Sequence, residues 1–269
     1  MFDEYLARWN LAPDGEPITT HSSHLLPVRR HGVPAMLKIA LEPEERRGAT
    51  IMVWWGGEGA ARVLAHEGDA LLMERIPGGD ELLGWVASGR DAEATRILCA
   101  AASRLHAPRN RPLPTTLVPL ARWFAELQPA ASRYGGILCQ AAATARDLLA
   151  DPRDVVLLHG DIHHRNVLNG GDRGWLAIDP KGLVGERGFD FANLFHNPDD
   201  AVATAPGRVA RQADVIAEAA GIPRSRVLRW ALAYSGLSAT WNMRIGRDAG
   251  PAVRVAELVA AELADHSGL

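Results

Sequence analysis

The sequence predicts an α+β fold of two lobes, a small mixed β-sheet lobe with one main helix followed by a larger, mainly helical lobe. Three features point to it. Two pairs of short apolar runs bracket a single helical segment early in the chain, alanine- and leucine-rich stretches of period near 3.6 fill the rest, and the composition shifts after "RIPGGD". The expected lobes are residues 1–77 and 78–269. At 269 residues and 47% hydrophobic content the chain can bury a sizeable core, which excludes a disordered or small disulfide-held protein.

A short helix is expected over 3–11, with Tyr5, Leu6, Trp9 and Leu11 on one face. "HLLPVRRHGVPAMLKIA" reads as two strands joined at His31-Gly32, with Lys38 inside the second strand. A helix follows from Glu44 to Trp55, started by Pro43 and ended by "GGEG". "AARVLAHEG" and "ALLMERIPGG" give strand, turn and strand, closing at Pro77-Gly78-Gly79. Beyond lie helices in "DELLGWVASG", "DAEATRILCAAASRLHA", 119–150, 188–196, 208–220, 224–242 and 251–265. "VVLLHG" and "GWLAIDP" are short strands carrying polar residues out of that helical mass.

A formal charge of -3 with no long basic run argues against a nucleic-acid partner. Cys99 and Cys139 lie in helical, alanine-rich surroundings and read as buried thiols in a reducing compartment. The start "MFDEYLARWNLAPDGEP" is acidic where a secretion signal is basic, and no apolar run reaches the ~18 residues of a membrane span. The expectation is a cytoplasmic protein with no membrane partner. Alanine-rich helices pack alike within a chain or across a dimer, so the oligomeric state is left open.

The chemistry concentrates in "VVLLHGDIHHRNVLNGGDRGWLAIDPKG", residues Val155 to Gly182. Hydrolysis at metals would suit Gly-Asp followed by histidine, but the further ligand clusters such a site needs do not follow. Phosphoryl transfer needs a carboxylate to take the acceptor's proton and oxygen ligands for magnesium. Asp161, Asn166 and Asp179 have the order of a base, its amide neighbour and the metal-binding aspartate after the next strand. "VLNGGDRGWLAID" can turn back as a hairpin and return Asp179 to Asp161, with Val167 and Leu168 packing beneath a nucleotide base. The bland alternative is that these residues only cap turns. His159 is expected to brace the loop through a backbone hydrogen bond, and His163 and His164 to be solvated.

"LHGDIHHRNVL" with "AIDPKG" resembles the aminoglycoside phosphotransferase family, relatives of the protein-kinase fold. "HLLPVRRHGVPAMLKIA", "VWWGGEGAARVLAHEGDALLMERIPGG", "SRLHAP" and "GFDFANLFHNPD" extend the likeness toward the streptomycin 6-kinase and aminoglycoside/hydroxyurea resistance kinase branch, over roughly residues 15 to 265. The resemblance implies transfer of the γ-phosphoryl of ATP, with Mg2+, to a small polar acceptor, foremost the 6-hydroxyl of a streptomycin-type aminoglycoside. It assigns Asp161 as catalytic, Asn166 and Asp179 as metal ligands, Lys38 as the strand lysine on the α- and β-phosphates, and Asp190 as a brace for the catalytic loop. It sets the phosphate-covering loop at "THSSHLL", with Ser22 and Ser23 as donors, and the adenine hinge at Glu74, Arg75 and Ile76, whose backbone would read the base. Relatives carry the helix glutamate that partners this lysine where this chain has Gly48. Glu45, ahead of Glu44, is the substitute, and a weak ion pair would follow.

A cationic acceptor calls for unpaired carboxylates at the mouth of the site. Asp80, Glu186, Asp199 and Asp200 are candidates, with Trp241 and Asn242 as flat and amidic surfaces and His196 at the rim. A kinase of the same fold acting on another small hydroxylated metabolite is the nearest alternative. A nucleotide-binding module without turnover is a further one, against which the joint presence of Asp161, Asn166 and Asp179 counts.

Overall fold

A computed structural model describes residues 1–78 and 80–265. The turn expected at Pro77-Gly78-Gly79 thus falls partly on Gly79, outside the described residues. Helix α1 (Asp3–Arg8) precedes strands β1 (Leu11–Pro13), β2 (Ile18–Thr19), β3 (Ser23–Arg30) and β4 (Val33–Ala40), then helix α2 (Pro43–Trp55) and strands β5 (Val63–Glu67) and β6 (Ala70–Glu74). The sheet runs β1-β3-β4-β6-β5, with β2 beside β3. Every pairing in it is antiparallel, so the lobe is mixed in combining sheet with helix, not in strand direction. His31 and Gly32, both at positive φ, close the β3–β4 hairpin with a tight turn suited to strand twist.

Alternation along β4 decides which residues see the cleft. Leu37 and Ile39 join Leu26, Val28 and Leu72 in a core covered by Phe2, Tyr5, Leu6 and Trp9. Met36 packs into the other core, which holds Met52 and Trp55 of α2, so period two sends Lys38 to the α2 side as well. Helix α2 begins at Pro43, whose missing N–H costs nothing there, and stops at Gly56 in the left-handed conformation. The expected helix over 3–11 is shorter: Asn10 sits at positive φ, and Leu11 starts a strand opposite Arg30.

The second lobe holds α3 (Glu81–Ala87), α4 (Asp91–His106), β7 (Val118–Pro119), α5 (Leu120–Trp123), α6 (Leu127–Tyr134), α7 (Ile137–Ala150), β8 (Val155–Leu158), β9 (Val167–Asn169), β10 (Trp175–Ala177) and β11 (Leu183–Glu186). Two 3-10 helices (Gly171–Arg173 and Arg187–Phe195) and α8 (Asp200–Ala203), α9 (Arg208–Ala220), α10 (Arg224–Arg244) and α11 (Gly250–Asp265) complete it. The helical stretch expected over 119–150 is three pieces, the last two separated by Gly135 and Gly136 at positive φ. The stretch expected as a helix over 188–196 is wound as the tighter 3-10 form. Buried Phe189 and Trp230 meet edge to face at 5.8 Å and tie that segment to α10. Cys99 is buried, which raises its thiol to about 12, whereas Cys139, expected to be buried, is exposed. Among the described residues no helix is long and apolar enough to cross a membrane.

Backbone hydrogen bonds and a ring contact help to fix the lobes to each other. Ala61 N–H donates to the Ala177 carbonyl at 3.0 Å and Ala177 N–H to the Gly59 carbonyl at 2.9 Å, which docks the β9–β10 hairpin on the segment before β5. Trp55, at the end of α2, stacks on His159 with centroids 6.0 Å apart, joining the main helix of the first lobe to the loop that carries Asp161.

Candidate active site

Lys38, on the α2 face of β4, pairs with Glu45 and with Asp179. Ser22 Oγ donates to the second oxygen of Glu45 at 2.9 Å, so the turn between β2 and β3 also holds that carboxylate. Ser23 is buried and bonded within the turn to Thr20. The weak pair expected from Gly48 is not what the structure has, because Glu45, buried at the first turn of α2, already reaches the lysine. Gly48 has a different reason to be glycine. A Cβ there would lie 2.2 Å from the Pro180 carbonyl oxygen, so its absence lets α2 close on the segment after Asp179.

The hairpin of β9 and β10 pairs Asn169 with Trp175 and Val167 with Ala177. Ile178 N–H then donates to the Asn166 carbonyl at 2.9 Å, which carries Asp179 back to the loop it left. Asp179 is itself left-handed, at φ 63°. Burial alone would raise its carboxyl, but Lys38 and Lys181 outweigh that and hold it down at about 2. Asn166 Nδ2 donates to the Asp161 carbonyl at 2.9 Å, and Asn193 Nδ2 donates to Asp161 Oδ1 at 2.9 Å. Asp161 N–H donates to His159 Nδ1 at 3.2 Å, while His159 Nε2–H donates to the Ile178 carbonyl at 2.8 Å. Burial lowers the His159 pKa and favours that neutral ring. Asp190, buried beneath the loop, accepts the amides of His159 at 2.9 Å and Gly160 at 2.7 Å and the ring N–H of His106 at 2.7 Å. His163 is half-buried, 3.8 Å from Asp161, and His164 is fully buried, so neither is a solvated loop histidine.

These positions suit an oxygen-seeking cation. With Nδ2 of Asn166 engaged, its amide oxygen is left as acceptor on the loop to which the Ile178 amide returns the chain before Asp179, and magnesium takes only one or two protein oxygens when phosphates supply others. At the hinge, Glu74 N–H is spent on the Arg62 carbonyl at 2.9 Å and Arg75 N–H on the Pro34 carbonyl at 3.4 Å. Those two amides are therefore engaged within the lobe, which leaves the carbonyls of this segment, and not these N–H groups, for the base-reading role expected of it. The Glu74 side chain meets Arg173, and Arg75 meets Asp14. Leu168 is half-buried on β9, opposite Leu176.

A cavity of about 790 Å³ opens beside Asp161, walled in part by Trp123, Trp241, Tyr234, Glu126 and Arg244. Trp123 and Trp241 meet edge to face at 5.4 Å. Several carboxylates expected at its mouth are elsewhere. Glu186 is buried against Arg226 and Trp230 and accepts the Arg153 amide, a structural anchor. Asp199 caps α8 through the Val202 amide, and Asp200 is exposed in its first turn. Asp80 is exposed and pairs with Arg165 at 3.2 Å. His196 is bonded to Ser235 at 2.8 Å and does not line the cavity, nor does Asn242, which sits one helical step off the Trp241 face. Sequence reasoning missed Asn193, Tyr234 and Lys181. Asn193 was signalled only as a polar residue inside the apolar run "FDFANLF", and Lys181 only by following Asp179-Pro180.

Residues 8–246 match the family described as aminoglycoside/hydroxyurea antibiotic resistance kinase. The streptomycin 3''-kinase of Klebsiella pneumoniae is 52% identical over 241 residues, covering 88% of this chain and 90% of that relative. The streptomycin 6-kinase of Streptomyces griseus is 33% identical over 94% of this chain and 86% of its own. Among solved structures, a thermostable variant of aminoglycoside phosphotransferase APH(4)-Ia, in complex with AMP-PNP and hygromycin B, superimposes with a TM-score of 0.66 over 99% of this chain and 98% of that one. At 12% identity that likeness speaks for the fold. Since the sequence match runs through both lobes and not through one motif, the chain belongs to the aminoglycoside/hydroxyurea antibiotic resistance kinase family and is a small-molecule phosphotransferase of protein-kinase-like fold.

Proposed function

We propose that this protein moves the γ-phosphoryl group of ATP to a hydroxyl of a streptomycin-type aminoglycoside, with residues 1–77 holding the nucleotide, residues 78–269 the acceptor, and the cytoplasm as its location. The observation that carries the reading is that Lys181, on the wall of the cavity beside Asp161, lies 3.7 Å from Asp161 and 3.9 Å from Asp179, the carboxylate that pairs with Lys38. A nucleotide on one side and an alcohol on the other would face each other across Asp161. In this reading Lys38 holds the α- and β-phosphates and Glu45 fixes Lys38, while Ser22 and Ser23, expected as phosphate donors, are spent on Glu45 and Thr20 and support that turn from within. Ile76 backbone reads the base, and Leu168 packs under it.

Asp161 orients the acceptor hydroxyl and takes its proton. Asn193 and Asn166 hold the Asp161 loop, and Asp190 fixes it from below through two amides. Asn166 and Asp179 would hold magnesium, whose positive charge would offset the negative charge of the phosphates. On the acceptor side, Glu126 with Trp123 and Trp241 offers a carboxylate beside flat aromatic faces, a combination suited to guanidinium and ammonium groups. Glu126 is paired with Arg244 at 3.3 Å, an exposed contact that a cationic acceptor can displace.

The relative at 52% identity is named for the 3''-hydroxyl, which makes that position the first reading of regiochemistry. The 6-hydroxyl is the second, favoured by the name of the S. griseus relative and by the sequence resemblance. Coupled measurement of ADP release over streptomycin, other aminoglycosides and simple polyols tests the acceptor class, and NMR of the product locates the phosphate. Turnover on polyols with none on streptomycin would overturn the reading.

A further inference from the structure

Lys181 stands at the seam between the acceptor cavity and the nucleotide cleft, and none of the roles above uses it. Its backbone is held: its N–H donates to the His159 carbonyl at 2.7 Å. The next residue, Gly182, turns at φ 72° so close to α2 that a Cβ there would meet Arg47 Cβ at 2.9 Å. From that base the ammonium reaches 3.7 Å from Asp161 Oδ2 and 3.9 Å from Asp179 Oδ2. One cation therefore spans the carboxylate on the acceptor side and the carboxylate on the metal side. Glu44 at 3.2 Å and Glu45 at 3.9 Å complete its surroundings. Lys38 is committed to Glu45 and Asp179, whereas Lys181 also lines the cavity.

We propose that Lys181 is a further catalytic residue that contacts the phosphoryl group during transfer. The inference rests on the phosphotransfer reading but not on which alcohol is the acceptor. In the step, the bond from γ-phosphorus to the β–γ bridging oxygen breaks and its electron pair leaves with ADP. A bond forms from the acceptor oxygen to phosphorus, and the hydroxyl proton passes to Asp161, while Lys181 keeps its own protons throughout. The moving group carries negative charge on three equatorial oxygens through a gap flanked by Asp161 and Asp179. Two carboxylates facing that charge oppose it. A fixed ammonium between them offsets the repulsion where the group is in transit, and it needs no rearrangement to do so. The competing role is a strut, in which Lys181 only neutralises Glu44 and joins α2 to the loop.

Lys181→Met, Lys181→Ala and Lys181→Arg separate the two roles without needing an acceptor. Calorimetry reads the affinity for magnesium and ADP alone, and for the same pair with aluminium fluoride, a planar mimic of the phosphoryl group. The expected result for the methionine and alanine variants is ADP affinity within about threefold of the parent and a fluoride complex weakened by about thirtyfold or more. The turnover number should fall about a hundredfold with little change in KM for ATP, and arginine should recover part of both losses. Equal weakening of the two complexes, or no weakening of either, would overturn the proposal in favour of a strut. If alanine unfolds the loop, the methionine and arginine variants give the same decision. A parent protein that fails to bind magnesium and ADP would sink the phosphotransfer reading as well, and the first titration reports that separately.

Discussion

Lys38 pairs with Glu45 and not with Glu44, which meets Lys181 at 3.2 Å instead. Adjacent residues at the start of a helix diverge by about 100° around its axis, so only one of two neighbouring glutamates can face the sheet. Glu45 is that one, with its side chain 4% exposed. Replacing Glu45 by glutamine should raise KM for ATP by about tenfold, since Lys38 loses the anion that orients it yet keeps Asp179 as a partner. Initial rates against ATP concentration check this, and a loss confined to the acceptor KM would contradict it.

Asp161→Asn should remove the proton acceptor while leaving the nucleotide cleft in place. General-base contributions run about 10²–10⁴-fold, so the turnover number should fall within that range while ADP affinity changes little. Asp179→Asn should do the reverse and weaken magnesium-dependent nucleotide binding first. Titration of ADP with and without the metal separates the two variants.

Gly48 is where helix propensity and packing disagree. Alanine within an exposed helix gains about 1 kcal/mol over glycine. Here the added carbon would sit 2.2 Å from the Pro180 carbonyl oxygen, closer than any real contact. Gly48→Ala should therefore lower the thermal midpoint and raise KM for ATP together, because α2 must retreat from the segment that carries Asp179. A raised midpoint with unchanged kinetics would mean that the helix and loop part at no cost.

What could be read in the sequence was whatever local pattern fixes. Apolar neighbours placed Lys38 inside the second strand of a hairpin, and a short apolar hairpin after Asn166 returned Asp179 to Asp161. Glu45 was legible through the family resemblance alone, which asks for a helix glutamate beside that lysine. The acceptor residues were not. Glu186, Asp199 and His196 are polar residues whose partners, Arg226, the Val202 amide and Ser235, are fixed by packing distant in sequence or by a cap, and a carboxylate in isolation does not declare whether it faces solvent or an arginine. Lys181 was overlooked for the related reason that its four carboxylates come from two lobes.

Glu186 lies buried with Nε of Arg226 2.6 Å and Nε1 of Trp230 2.8 Å from the same oxygen. Removing one member of a buried ion pair strands the other, at a cost of about 3–5 kcal/mol. Glu186→Ala should thus show a large fall in denaturation midpoint, while the fraction that stays folded keeps the acceptor KM of the parent. A shifted KM at unchanged stability would return Glu186 to the acceptor site.

His164 supplies the pH dependence. It is 1% exposed, and neither ring nitrogen has a hydrogen-bond partner among the described residues. Burial is the main cause that lowers its pKa from the ordinary 6.5 to about 4, with nearby Arg208 adding to the effect and Asp91 opposing it. In the unfolded chain the ring takes a proton below pH 6.5, whereas in the folded protein it resists until about pH 4, so the unfolded state binds more protons between those values. Stability must then fall as pH drops through that window, by about 2 kcal/mol at pH 5 from this histidine alone. Replacing His164 by leucine, which fills similar space and does not titrate, should flatten the curve of unfolding free energy between pH 7 and 5 by about that amount. An unchanged slope in urea melts across that range would mean that the ring finds a proton acceptor in the folded protein.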